Sequence, residues 1–210
     1  ISRRTAMIAK ELNRYNIDIA ALQETHLCGS GRLDEIAEGY TYFWSGCKED
    51  QPNHYGVTIC IKTNLIKKGV ISDPICISDR LMYINIEEQH ATTTLICCYA
   101  PTLCSNDIEK GNFYNQLNEV CDRIPLKNKV ILAGDFNARV GKEHQTWKGT
   151  LGKHGTGKLN TNGQLLLEFC AARNLTLVNT MFYLKTKYKT TWQHPRSKEW
   201  HTIDYLIVKA

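Results

Sequence analysis

Apolar residues in this chain gather into short runs that each stop at a polar residue or a glycine. Val130-Ile131-Leu132-Ala133 runs into Gly134-Asp135-Phe136-Asn137, and Ile17-Asp18-Ile19-Ala20-Ala21-Leu22 finishes in Gln23-Glu24-Thr25-His26. Leu95-Ile96-Cys97-Cys98 finishes in Tyr99-Ala100-Pro101, and Thr190-Thr191-Trp192 precedes the run Ile203-Asp204-Tyr205-Leu206-Ile207-Val208. Runs of this length and composition predict buried strands. Further strands are predicted at 56–62, 81–87 and 175–179. Helical spacing predicts a first helix over 3–14 with Met7, Ile8 and Leu12 on one face. A second carries Phe113, Leu117, Val120, Cys121 and Ile124 and is stopped by Pro125. A third covers about 163–172, with Leu165, Leu166 and Phe169 inward and Asn162 as its N-cap. Strands and helices in mixed order predict an α/β sandwich. Nothing repeats, so one domain over 1–210 is expected.

Chemistry is expected where the strands end. On an extended segment alternate side chains share a face, which would put Asp135 and Asn137 side by side. An acid beside an amide suits a site that takes a proton from water and holds a phosphate oxygen. The alternative for the same pair is a turn at a strand end. Several strands that each present a polar residue at an end describe a sheet edge where ligands collect.

Composition narrows the reading. A net charge of +5 favours polyanionic partners without reaching the level of a basic tail. Basic residues cluster at 142–158 and at 185–196, the second group interleaved with Tyr183, Tyr188 and Trp192, a mixture suited to phosphate contact and stacking. The nine cysteines are odd in number and lack Cys-x-x-Cys spacing, which argues against zinc ribbons and disulfide frameworks. Cys60, Cys97, Cys98, Cys121 and Cys170 read as small buried hydrophobes, and a reducing compartment is expected. No apolar run is long enough to span a membrane. Gly152-Lys153-His154-Gly155-Thr156-Gly157-Lys158 has phosphate-loop spacing, but Leu159 stands where Ser or Thr must reach Mg²⁺ and no strand leads in. The stretch 141–163 is therefore read as a long, mobile surface loop.

Leu22-Gln23-Glu24-Thr25, Tyr99-Ala100-Pro101, Gly134-Asp135-Phe136-Asn137-Ala138-Arg139 and Ile203-Asp204-Tyr205 together resemble, in order and spacing, the exonuclease, endonuclease and phosphatase superfamily. That superfamily includes deoxyribonuclease I and the apurinic endonucleases. The likeness is closest to the endonuclease domain of non-LTR (LINE-type) retrotransposons, and it runs from Ser2 to Lys209. It implies a four-layer α/β sandwich, two packed mixed β-sheets flanked by helices, and a Mg²⁺-dependent DNA endonuclease, with Mn²⁺ as the alternative ion. Glu24 would bind the metal. Tyr99, Asp135, Asn137 and Asp204 would be catalytic: Asp135 acting on the attacking water, Asn137 donating to the phosphate, Tyr99 contacting it, Asp204 orienting a histidine. Thr191 and Arg139 would bind substrate. DNA is the implied partner, with the reverse transcriptase domain of the same polyprotein as a second and no membrane. A nuclear location with cytoplasmic transit follows.

The family also places an Asn in a Trp-Asn motif before the first helix and a Ser/Thr-Asp-His motif after the Ile-Asp-Tyr strand. None of the seven histidines here occupies that motif, and His201 reads as a surface strand residue. The chain is accordingly expected to be a domain truncated at both ends, lacking terminal strands. By itself it would be inactive or nearly so, since each lost transition-state donor costs on the order of 100-fold to 1000-fold. The competing expectation is a domesticated or decayed module that binds nucleic acid or protein without cutting. Phosphatase or sphingomyelinase activity on the same scaffold is a third.

Overall fold

The structure is a computed structural model that describes residues 2–48 and 55–209. The chain forms two compact units, one through Cys98 and the other from Tyr99 onward.

The first unit holds α1 (Ser2–Arg14), β1 (Ile19–Gln23), β2 (Ser30–Glu35), β3 (Tyr40–Ser45), β4 (Val57–Lys62), α2 (Thr63–Lys67), β5 (Ile75–Ser78), β6 (Leu81–Glu87) and β7 (Thr92–Tyr99), whose last residue begins the second unit. β1, β4, β3 and β2 pair antiparallel in that order, and β6 pairs antiparallel with β5 and with β7. The two sets of strands pack on each other: β3 and β4 lie against β5 and β6, and Ser45 Oγ donates to Ser78 O at 2.7 Å. The interior is Val57, Ile59, Cys60, Ile61, Leu81, Met82, Ile84, Ile96, Cys97 and Cys98, all without exposed surface. The buried cysteines act as small hydrophobes as expected, and burial pushes the Cys60 and Cys97 thiols up to about 12.

The inward face of α1 differs from the one its apolar pattern predicts. Met7 and Ile8 are exposed, while Thr5 and Ala9 face inward with Leu12, packing on Tyr40, Tyr42 and Cys60. Small residues bring the helix close enough for the Tyr42 hydroxyl to donate to Thr5 O at 2.8 Å, which a Met or Ile at the contact would prevent.

Cys28 and Cys47 are bridge partners, with Gly29 N–H donating to Cys47 O and Gly46 N–H to Gly29 O, each at 2.7 Å. Their free thiols lie 3.9 Å apart. Glutathione disulfide is expected to join this pair, because bridged neighbours already have the Cα spacing a disulfide needs. Peptide mapping of the oxidised protein should find the Cys28–Cys47 link, and Cys28→Ser should abolish it.

The second unit holds α3 (Asp107–Arg123), β8 (Lys129–Asp135), α4 (Thr161–Ala172), β9 (Leu175–Leu177), β10 (Trp192–Gln193), β11 (Trp200–His201) and β12 (Asp204–Lys209). β12 pairs antiparallel with both β8 and β9, and β10 with β11. The predicted strand over 175–179 stops at Leu177 and tightens into a 3₁₀ turn, Val178–Thr180. α3 buries Phe113, Leu117 and Val120 and ends before Pro125, as its spacing predicts. Arg173 ties α4 to α3, donating to Asn118 Oδ1 at 2.6 Å and to Asp122 Oδ1 at 2.8 Å.

Two expectations about this unit are corrected. The N-cap of α4 is Asn160, whose side chain accepts from Gly163 N–H, leaving Asn162 free for other work. The stretch 141–163 is packed, with Thr150, Leu151 and Gly152 buried. Leu177 N–H donates to Thr150 O, Gly152 N–H to Thr180 Oγ1 and His154 N–H to Thr180 O. Its glycines serve this packing: a Cβ on Gly152 would stand 2.2 Å from Thr180 O, and one on Gly155 2.2 Å from Gly141 O. Glycines committed to such close approaches cannot cradle a phosphate. No helix among the described residues is long and apolar enough to cross a membrane.

Candidate active site

In the second unit, β8 delivers its last residue, Asp135, directly opposite Asp204, the first residue of β12. Side chains at opposed positions of an antiparallel pair have Cβ atoms about 5 Å apart. Two carboxylates are thus held together by backbone register. Gly134, just before, has φ +152°, a conformation that residues with a Cβ rarely adopt, which explains a glycine between apolar strand and acid.

Asn137 reaches Asp135 by a different route from strand alternation. The strand stops at Asp135, and Asn137 turns into the left-handed region with φ +48°, tolerable for Asn. Its N–H donates to Asp135 Oδ1 at 2.7 Å and its side-chain amide to Ala100 O at 3.0 Å. The turn reading therefore describes the backbone, and it is the turn that holds acid and amide together. Between them, Phe136 is fully buried, its ring 6.4 Å from that of Tyr205, and its N–H donates to Ile203 O at 3.0 Å. The Tyr205 hydroxyl lies 3.1 Å from Ala138 O and 3.0 Å from Thr202 O, and burial raises its pKa well beyond the ordinary tyrosine value.

Tyr99 is joined to this cluster through its neighbour, since Ala100 N–H donates to Asp135 O at 2.8 Å; Tyr99 itself is 3% exposed. Thr191 is exposed, its hydroxyl accepting from Ile203 N–H at 3.3 Å. Arg139 has its backbone doubly paired with Asn160: Arg139 N–H donates to Asn160 Oδ1 and Asn160 N–H to Arg139 O, both at 3.0 Å. With Asn137, Trp192, His194 and His201 it lines a cleft of about 580 Å³. His201, expected on the surface, lines this cleft half-buried and stacks on Trp192 at 6.0 Å. Burial, reinforced by Arg139, lowers its pKa from the ordinary histidine value, which favours the neutral ring.

Glu24 belongs to the first unit, directly after β1, exposed and with φ +53°. It lines a cleft of about 820 Å³ with Met7, Ile8, Gln23, Thr25 and His26.

The residue whose role sequence reading missed is Asn162, expected as a helix cap. Its amide donates to Pro101 O at 3.0 Å and Asn137 O at 3.1 Å, from a side chain 3% exposed. It thereby ties the segment after Tyr99 to the turn after Asp135. Asn162→Ala leaves the buried Pro101 carbonyl and the part-buried Asn137 carbonyl without that donor, which costs about 1–3 kcal/mol. Chemical denaturation should show this loss, and Asn162→Asp, retaining size but not the donor, should not restore it.

Packed sheets flanked by helices, with acids and amides gathered at strand ends, define a mixed α/β protein. A family model described as Endonuclease/Exonuclease/phosphatase family matches residues 2–210, and the chain belongs to that family. Craniofacial development protein 2 of Bos taurus is 28% identical over 203 residues, covering 97% of this chain and 33% of that protein. The chain thus spans about a third of the length of that curated relative. A Transposon TX1 149 kDa protein of Xenopus laevis is 26% identical over 138 residues, 64% of this chain and 10% of that protein. Among solved structures, the endonuclease domain of TRAS1, a telomere-specific non-LTR retrotransposon, matches with a TM-score of 0.64 at 17% identity, covering 98% of this chain and 78% of that one. The 3′-5′ exonuclease NExo from Neisseria meningitidis matches at 0.62 and 19%, covering 98% and 82%. These likenesses show the fold, which is the mixed α/β architecture of packed sheets and flanking helices that the sequence resemblance implies.

Proposed function

We propose that this chain is the catalytic module of a Mg²⁺-dependent DNA endonuclease that nicks a target strand, leaving the 3′-hydroxyl that primes reverse transcription of a mobile element. The observation that carries it is the register of Asp135 against Asp204, with Asn137 fixed to Asp135 by its own N–H. Two facing carboxylates repel unless a cation or a proton offsets them. The facing pair Asp135 and Asp204 offers only oxygen donors, which suits a hard cation. Among the described residues no three His, Cys, Asp or Glu side chains form a metal cage. Mg²⁺ binds through one or two carboxylates plus substrate phosphate, so such a set fits it. When bound, the ion would neutralise charge on the phosphate.

The residues of the chain supply the rest. Asp135 takes the proton of the attacking water, and Asn137 donates an amide N–H to a phosphate oxygen. Thr191 and Arg139 hold the flanking strand. Tyr99, almost wholly buried, is confined to a contact through whatever part of its ring reaches the cluster edge. A relative named for a transposon, and the TRAS1 endonuclease among similar folds, support DNA as substrate over a phosphate monoester or a lipid. Reverse transcriptase of the same polyprotein is the proposed partner, and the nucleus the proposed place of action.

The test is nicking of supercoiled plasmid in Mg²⁺. Because no histidine here matches the family's downstream motif, these 210 residues are expected to cut slowly, each missing transition-state donor costing about 100-fold to 1000-fold. EDTA and Glu24→Gln should each stop the cutting. Absence of any metal-dependent cutting would favour the module that binds without catalysis.

A further inference from the structure

From His144 to Lys198 the sequence holds a single carboxylate, Glu168, against Lys148, Lys153, Lys158, Arg173, Lys185, Lys187, Lys189, Arg196 and Lys198. Within this stretch, the segment from Met181 to Tyr188 lies on the surface without a break. Phe182 is 65% exposed, Tyr183 75%, Leu184 50% and Tyr188 65%. Apolar side chains of this size, left open together, mark a binding surface.

The strip is held in shape. Residues Thr186–Tyr188 form a 3₁₀ turn, with Tyr188 N–H donating to Lys185 O at 2.8 Å. Lys189 Nζ donates to His154 O at 2.7 Å, and the His154 ring meets Tyr183 edge-on at 5.7 Å. Lys187 Nζ stands 4.7 Å over the Tyr188 ring. Tyr188 and Leu184 share a small cleft with Thr191, Thr202 and Tyr205, which makes the strip continuous with the strand ends that carry Asp204.

We propose that Phe182, Tyr183 and Tyr188, with Lys185 and Lys187 between them, form a platform for single-stranded nucleic acid outside the cutting site. Unpaired bases present flat faces that stack on aromatic rings, and alternating lysines follow their phosphates; a duplex hides those faces. Lack of local carboxylates favours a polyanion over a protein partner, whose apolar contacts would not require it. The platform would hold the displaced or flanking strand while the strand-end cluster acts on the scissile phosphate. This rests on reading the chain as a nucleic-acid enzyme, and its test does not depend on cleavage.

The experiment is fluorescence anisotropy of a labelled 15-nucleotide oligo(dT) with the full chain in EDTA. Tyr183→Ala/Tyr188→Ala is expected to weaken binding at least about tenfold. Lys185→Gln/Lys187→Gln should reduce the salt slope by about 1.4, roughly 0.7 for each phosphate left unneutralised. Tyr15→Ala, another exposed tyrosine, should change nothing. Thermal melting confirms that each variant is folded. Wild-type affinity in both double variants, or full competition by an equal-length duplex, would overturn the proposal. Loss of plasmid nicking with oligo(dT) binding intact would instead count against the endonuclease reading alone.

Discussion

Asp135→Asn is expected to lower Mg²⁺-dependent nicking by about 10²- to 10⁴-fold, the usual contribution of a positioned general base, while leaving the fold as stable as before or slightly more so. Asn retains the Oδ1 that accepts Asn137 N–H at 2.7 Å, so the turn after β8 survives. What disappears is the negative charge facing Asp204 across the strand pair. Like charges directly opposed on a strand pair are destabilising, so neutralising one is not expected to weaken the pair. A site that lowers stability to do chemistry shows this opposition of effects, whereas an acid serving the fold does not. Single-turnover nicking and a melting curve on the same preparation decide between them. Undiminished nicking would remove Asp135 from the mechanism, and a drop in melting temperature would make it a structural acid.

The strands that form this site were legible because their apolar runs are long enough to be unambiguous. β8 and β12 fall within a residue or two of the runs that predict them, and β6 coincides with its predicted range. The pairing of Asp135 with Asp204 was not legible. It depends on which strands neighbour one another, and local pattern carries no record of that. The α1 face was misread for a related reason: Met7 and Ile8 match the helical period as well as Ala9 does, and the choice is made by the sheet, where Tyr42 reaches Thr5. Asn160 and Asn162 both suit a cap by composition. Only the approach of the segments after Tyr99 and Asp135 distinguishes the cap from the clamp. The 141–163 segment looked mobile because its glycines and polar residues have loop chemistry. Their partners, Thr180 and Leu177, lie far along the sequence.

Phe136→Ala is expected to cost about 3–5 kcal/mol and roughly 10 °C in melting temperature. Phe136 sits between Asp135 and Asn137 and has no exposed surface, and its ring packs toward Tyr205 of β12. Removing it opens a void under the turn that carries both functional groups. The turn in which Asn137 takes φ +48° is built on this ring as well as on its own hydrogen bonds. Activity should therefore fall together with stability, and lowering the temperature should recover part of it. Phe136→Leu, which fills most of the void, should cost less than about 1.5 kcal/mol if the surroundings repack. The contrast with Asp135→Asn separates two kinds of dependence within three consecutive residues. One variant loses activity at constant stability, the other through stability. Equal melting temperatures for wild type and Phe136→Ala would mean that the turn is held by its hydrogen bonds to Ala100 and Asn162 rather than by the core beneath it.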